Sequence, residues 1–171
     1  TTPKMEKLLG KKHVATAKSY SYLGVCNFFE GDSKTGIEFC NKAVDIFESN
    51  SHESTAFALE LLIDMHLRRS EHDKAIPLLE RLVRFQSKKT GAQSSQTTFA
   101  LNALASSYFA TGNNKKSAGI CEIVLANAEK VNGKTSREAA TACLNLTNIY
   151  IAMADYSKAL PLALRALEVN E

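Results

Sequence analysis

The chain has 171 residues, of which 44% are hydrophobic, and its formal net charge is +3. That hydrophobic fraction excludes an intrinsically disordered chain. The small charge gives no reason to expect nucleic acid or an anionic membrane as a partner. Glycine (8) and proline (3) are few, which favours an all-α fold, and no apolar run approaches the ~18 residues of a membrane-spanning helix.

In chain order, the stretch "MEKLLG" (5–10) predicts the end of a helix, so we assign residues 1–12 to the end of a preceding repeat helix and its linker. The remaining chain contains four mutually similar stretches. They start at residues 20, 59, 101 and 143, at offsets of 39, 42 and 42 residues. Self-similarity at such a period indicates a repeat architecture. We place the four repeats at 13–52, 53–94, 95–135 and 136–171, and expect the array to be truncated at both ends.

Each repeat predicts two amphipathic helices joined by a tight turn. In the first, Tyr20, Leu23, Gly24 and Asn27 have the i, i+3, i+4, i+7 spacing of one helical face. The turn follows at "EGDSK" (30–34). The second helix then presents small residues on one face, which allows two helices to approach closely, and these residues are Gly36, Cys40 and Ala43.

Two prolines, Pro77 in "DKAIPLLERL" and Pro161 in "SKALPLALRAL", interrupt apolar helical patterns in the second and fourth repeats. The pattern predicts second helices beginning near residues 72 and 156. We attribute the tolerance for proline to a position about one turn inside each helix, because first-turn amides have no helical acceptor. The interval between the prolines corresponds to two repeats.

Glycines recur in one register before each following repeat, at Gly10, Gly91 and Gly133. We expect them to end the second helices in the left-handed conformation. Thr135 and Glu138 have the spacing of a capping box at the start of the fourth repeat.

The pattern aromatic-x2-Leu-Gly followed by spaced small residues resembles the tetratricopeptide repeat. The first repeat fills the family's positions with Tyr20, Leu23, Gly24, Gly36, Cys40 and Ala43, and the fourth with Cys143, Leu146, Tyr150, Tyr156, Ala159, Ala163 and Ala166. The 42-residue length and the internal Pro-Leu resemble the repeats of kinesin light chains. The resemblance implies a right-handed α-solenoid of about four helix-turn-helix pairs that binds a peptide or protein in a concave groove.

In such arrays the first helices line the groove, so their positions outside the core are candidate contacts. These positions are Lys18, Ser21, Tyr22, Val25 and Phe29; Phe57, Glu60, Leu61, Asp64 and Arg68; Phe99, Asn102, Ser106 and Phe109; and Thr141, Asn145 and Asn148. The candidate groove residues chosen from them are Lys18, Tyr22, Phe29, Glu60, Asp64, Arg68, Asn102, Ser106, Asn145 and Asn148. An asparagine side chain can hydrogen-bond both the C=O and the N–H of a peptide backbone.

Catalytic and metal-binding patterns are not found in the sequence. The four histidines have no metal-ligand spacing, and there is no glycine-rich phosphate loop or nucleophile motif. We therefore predict no catalytic residues, no metal and no cofactor. Four cysteines without a C-x-x-C pair predict buried, reduced thiols, which is typical of a cytoplasmic, reducing compartment.

The main functional prediction is a peptide- or protein-binding adaptor scaffold of the kinesin-light-chain-like class, not an enzyme. One alternative is a structural or self-associating module that braces other domains of a longer chain, its groove filled by its own chain. Another is a regulatory subunit that binds a catalytic partner. We expect neither nucleic-acid binding nor membrane insertion.

Overall fold

The computed structural model describes the backbone of residues 2–169 and the side chains of residues 5–169. All regular secondary structure in this range is helical, as the all-α prediction requires. The helices are α1 (Thr2–Leu9), α2 (Val14–Phe29), α3 (Ser33–Ser49), α4 (Thr55–Arg68), α5 (His72–Thr90), α6 (Ser95–Ala110), α7 (Asn114–Asn132), α8 (Arg137–Ala152) and α9 (Tyr156–Glu168). The chain forms two compact units, Thr1–Leu82 and Val83–Glu171, and the division falls within α5.

In the first unit, α2 and α3 pack backbone against backbone. Gly24 of α2 faces Gly36 and Cys40 of α3. A Cβ at Gly24 would overlap the Cys40 sulfur and lie 2.9 Å from the Gly36 carbonyl oxygen, and a Cβ at Gly36 would lie 2.8 Å from the Gly24 carbonyl oxygen. The predicted close approach is therefore present, and it depends on the absence of side chains at these two positions.

A buried histidine organises the turn from α4 to α5. His66 is 7% exposed, and its Nδ1 lies 2.7 Å from Glu71 Oε2. This hydrogen bond is the main reason why the pKa of Glu71 falls from 4.5 to about 2, and Arg69 and Lys74 lower it further. The carboxylate thereby ties the end of α4 to the start of α5.

The core of the second unit forms where α6, α7, α8 and α9 meet. It buries small residues of α6, α7 and α9 beneath larger residues of α8, and its members are Ala105, Ala118, Cys121, Leu146, Ile149, Tyr150 and Ala159. Leu146 is 1% exposed. Small residues under large ones let neighbouring helices pack closely.

Serine caps start two of the first helices in equivalent positions. The Ser94 hydroxyl accepts a hydrogen bond from the Thr97 amide at 3.2 Å, and the Ser136 hydroxyl accepts one from the Ala139 amide at 3.1 Å. The predicted capping box at Thr135 is wrong by one residue, because the serine that follows takes the cap. The residue three positions after Ser136 is alanine, which cannot return a side-chain bond to the cap.

Helices α5 and α9 begin at His72 and Tyr156, close to the predicted starts. The explanation offered for the prolines is wrong, however, since Pro77 and Pro161 are each the sixth residue of their helix and lie beyond the first turn. Each proline removes one hydrogen bond to the carbonyl four residues before it. The two prolines are exposed, and so are Asp73 and Ser157, whose carbonyl oxygens lose these hydrogen bonds. Water can therefore hydrogen-bond those oxygens.

The turns within the repeats share one backbone conformation. Gly31, Ser70, Gly112 and Ala154 occupy the same position of each repeat and have φ angles of 100°, 56°, 76° and 56°. The predicted left-handed glycines after the second helices also have positive φ, at 86°, 94° and 92° for Gly10, Gly91 and Gly133. The tight turn therefore persists in the two repeats that lack glycine.

Equivalent ion pairs connect consecutive second helices in each unit. Arg81 of α5 binds Glu48 of α3 at 2.5 Å, and Arg165 of α9 binds Glu129 of α7 at 2.5 Å. The two arginines are separated by the length of two repeats, as the two prolines are. The intermediate position is Ile123, which cannot form this ion pair.

Candidate peptide-binding surfaces

Four predicted groove residues come together in the second unit. Asn102 and Ser106 of α6 and Asn145 and Asn148 of α8 line one cavity of about 320 Å³. Asn102 and Asn145 lie on neighbouring first helices, one repeat and one residue apart. We call this cavity, together with these four residues, the asparagine pocket.

The asparagine pocket is polar but uncharged. Its remaining lining comes from Ala105, Phe109, Ser117, Cys121 and Ile149. Cys121 is the titratable residue of this set, and it is uncharged at neutral pH because burial raises the pKa of its thiol to about 11. Amide and hydroxyl groups can both donate and accept hydrogen bonds. The pocket therefore suits a neutral ligand segment that has both N–H and C=O groups.

The Ser117 hydroxyl in the pocket lining is already engaged within the fold. It donates to the Ala105 carbonyl at 2.8 Å. Among the side-chain hydrogen bonds of the described residues, by contrast, none involves Asn102, Ser106, Asn145 or Asn148. These amides thus retain their hydrogen-bonding capacity for a ligand.

The prediction from sequence does not include the second-helix part of this lining. Ser117 and Cys121 of α7 reach the pocket between α6 and α8, although the predicted groove consists of first helices alone. The signal is present in the sequence, because both stand in the small-residue positions of the repeat. A small side chain there leaves space beside the first helix as well as allowing close packing.

Lys18 and Tyr22 lie together in the first unit. They line a cavity of about 220 Å³ between α2 and the start of α4, together with Phe57, and Tyr22 and Phe57 are 67% and 49% exposed. Ser21, the position between them, is also predicted to face the groove. Ser21 lines the same cavity, although it is 2% exposed and its hydroxyl already donates to the Ala17 carbonyl.

The other predicted residues of the first unit form a separate cluster. The Arg68 guanidinium donates to Asp64 at 2.6 Å and lies 5.6 Å from the centre of the Phe29 ring. Arg68 and Asp64 thus neutralise each other on an exposed surface. Glu60 precedes Asp64 by one turn, and although the residue as a whole is exposed, partial burial of its carboxyl raises its pKa.

The cysteines depart from the prediction at one position. Cys40, Cys121 and Cys143 are buried, but Cys26 is exposed, and all four thiols are free. Within the described residues, no three His, Cys, Asp or Glu side chains are grouped as they would be around a metal ion. None of the helices described is both long enough and apolar enough to cross a membrane.

The helix pairs with small interlocking residues prompt comparison with known repeat families. Residues 96–171 match the family model of the tetratricopeptide repeat. The match covers less than half of the chain. Among curated proteins, no sequence matches it significantly.

Solved structures of other proteins show a similar fold over nearly the whole chain. The nearly identical TPR-like repeats of Podosopora anserina, assigned to a kinesin light chain, superpose with a TM-score of 0.80 at 19% identity, covering 99% of this chain and 82% of that one. BtubC (BKLC) from P. vanneervenii gives 0.68 at 18% identity, covering 98% and 67%. A Rap protein complexed with Competence and Sporulation Factor gives 0.61 at 16% identity, covering 91% and 43%. These identities establish similarity of fold alone.

Proposed function

We propose that this chain is a non-catalytic adaptor scaffold that binds a segment of a protein partner in a groove lined by its first helices. The observation that carries the proposal is the asparagine pocket, where four predicted contact residues converge on a single uncharged cavity of about 320 Å³. An extended peptide offers alternating N–H and C=O groups, which asparagine side chains recognise without regard to side-chain charge. The likeness to kinesin-light-chain repeats and to a Rap protein in complex with a factor supports the same function.

The first unit supplies a second contact region of different chemistry. Tyr22 and Phe57 provide exposed aromatic surface beside the Lys18 ammonium. Aromatic side chains are enriched where proteins bind one another, since they bury much apolar area at little entropic cost. The first unit thus offers apolar and cationic groups, and the second unit offers amides. We assign the protein to the cytoplasm, where its free thiols would stay reduced.

The test begins with selecting short peptides from a displayed library on the immobilised chain, followed by calorimetric titration of the enriched peptide. We expect the double change Asn102→Ala, Asn145→Ala to lower affinity about tenfold or more. Each lost hydrogen bond contributes about 0.5–1.5 kcal/mol, and tenfold corresponds to about 1.4 kcal/mol. The melting temperature should stay within a few degrees of the original, because alanine favours a solvent-facing helix.

The matched control is Asn41→Ala, which makes the same chemical change on the exposed face of α3. Its amide already donates to the Ile37 carbonyl at 3.0 Å, so affinity should not change. Unaltered affinity in the double variant would remove the asparagine pocket from the binding surface. Failure to enrich any peptide would instead favour the structural-module alternative, in which the groove is filled by the protein's own chain.

A further inference from the structure

A second cavity adjoins the asparagine pocket in the second unit. It has a volume of about 420 Å³ and lies between the first half of α6, the end of α7 and the start of α8. Asn102 lines both cavities, so a peptide segment held at the asparagine pocket can continue into this one. We call it the Phe99 cavity, after the aromatic residue that α6 contributes to its lining.

The Phe99 cavity combines apolar surface with one acidic group. The side chains of Phe99 and Val131 are 72% and 58% exposed. Of the described residues that line the cavity, only Glu138 has an ionisable side chain. Within the described part of the chain, no hydrogen bond or ion pair engages the Glu138 carboxyl group. This carboxyl group is therefore available to a ligand.

The equivalent cavity of the first unit has the opposite charge. It is the cavity of about 220 Å³ already described beside Tyr22. The repeat positions of Phe99, Asn102, Ala128 and Glu138 are occupied there by Lys18, Ser21, Phe47 and Ser54. The first cavity thus has an ammonium group where the second has an aromatic ring, and a hydroxyl group where the second has a carboxyl group. Of the two, the Phe99 cavity is the one suited to a cation.

We propose that the Phe99 cavity binds an arginine side chain of the partner segment whose backbone the asparagine pocket holds. Arginine joins an apolar stem to a planar cation, so it can pack on aliphatic surface, stack on an aromatic ring and pair with a carboxylate. Val131, Phe99 and Glu138 offer these three groups in one cavity. The inference rests on the proposed function, because the arginine belongs to the segment that is bound there.

Other side chains fit the Phe99 cavity less well than arginine. A lysine ammonium is more strongly hydrated than a guanidinium and has no planar face to stack on Phe99. An apolar side chain would cover part of the Glu138 carboxyl group without pairing with it, which is unfavourable. We therefore expect affinity to fall from arginine to lysine, and again to citrulline, which keeps the planar shape of arginine without its charge.

The side-chain site is tested first by itself, with N-acetyl-arginine N-methylamide as the probe and NMR chemical shifts of the whole chain as the measurement. We expect saturable binding with a dissociation constant of about 1 mM or weaker, since one stacked and paired cation contributes little affinity. The shifts should concentrate at the Phe99 ring and the Val131 methyl groups. The citrulline derivative should bind about fivefold more weakly or less. The absence of saturable shifts at Phe99 would overturn the proposal.

Variants of the protein locate the site. Glu138→Gln and Phe99→Lys should each weaken binding of the arginine derivative about fivefold or more, and the second change introduces the residue that the first unit has at the equivalent position. Glu53→Gln is the matched control, because Glu53 is an exposed glutamate just before α4 that lines neither cavity. It should leave binding unchanged. Equal weakening by Glu53→Gln and Glu138→Gln would mean that net charge alone is sensed, and the proposal would fall.

The peptides selected from the displayed library separate this inference from the proposed function. An enriched peptide should contain an arginine, and replacing it with citrulline should lower affinity about tenfold for the unaltered chain but no more than about twofold for Glu138→Gln. If binding depends on Asn102 and Asn145 but not on the arginine, the proposed function stands and the arginine site is overturned. If no peptide is enriched, both are overturned.

Discussion

At Gly24 a single hydrogen atom in place of a side chain decides how closely two helices pack. The Gly24 Cα faces the Cys40 sulfur and the Gly36 backbone of α3, so even one methyl group has no space. We expect Gly24→Ala to lower the free energy of unfolding by about 1–3 kcal/mol, the usual range for overpacking. Urea denaturation followed by circular dichroism measures this.

Gly119 of α7 is the matched control, because a Cβ built there meets nothing within 4 Å. Gly119→Ala should raise the free energy of unfolding by about 0.5–1 kcal/mol through the higher helix propensity of alanine. The two identical substitutions should thus have opposite signs. Destabilisation of similar size at both positions would contradict the packing of α2 on α3.

Within each helix pair, the turn residue keeps a positive φ angle although its identity changes from repeat to repeat. Ala154 adopts φ of 56°, where a Cβ is strained and glycine is not. We expect Ala154→Gly to raise the free energy of unfolding by about 1 kcal/mol. Gly112→Ala, the reverse change in the equivalent turn, should lower it by about the same amount. If both changes prove neutral in thermal denaturation, the left-handed turn contributes nothing to stability.

Helix starts, turn glycines and the small interlocking face can all be predicted from sequence, because each depends on local backbone chemistry or on spacing within one repeat. The cap of α8 cannot be placed to the residue, since Thr135 and Ser136 are adjacent and both are good caps. The tolerance of Pro77 and Pro161 depends on which face of the finished helix meets water. That face is known only after packing.

Some features of the candidate sites can likewise be predicted from sequence, and others cannot. Asn102, Asn145 and Asn148 can be identified because they occupy first-helix positions outside the core, and the fold brings them to one cavity. Arg68 and Asp64 also occupy first-helix positions outside the core, yet they form an ion pair with each other. Periodicity predicts which face a residue occupies but not its side-chain partner.

For the whole molecule, the reactivity of the cysteine thiols measures whether the fold opens enough to expose buried side chains. Burial raises the pKa of the Cys40 and Cys121 thiols to about 11 and that of Cys143 in the same direction, whereas Cys26 is exposed. Because the thiolate is the reactive form, we expect one rapid equivalent with Ellman's reagent at pH 8 and four in denaturant. Cys26→Ser should abolish the rapid phase. Fast reaction of two or more thiols in the native protein would contradict the packing of both units.

The equivalent ion pairs Arg81–Glu48 and Arg165–Glu129 lie two repeats apart. Repeats two and four each contribute an arginine and an internal proline, whereas the intervening repeat has Ile123 at the arginine position. Anyone lengthening this scaffold by duplication should therefore copy repeats in pairs. An inserted pair preserves the order of the repeats, whereas a second copy of repeat two placed directly after the first would set its arginine against Ser87, the position equivalent to Glu48.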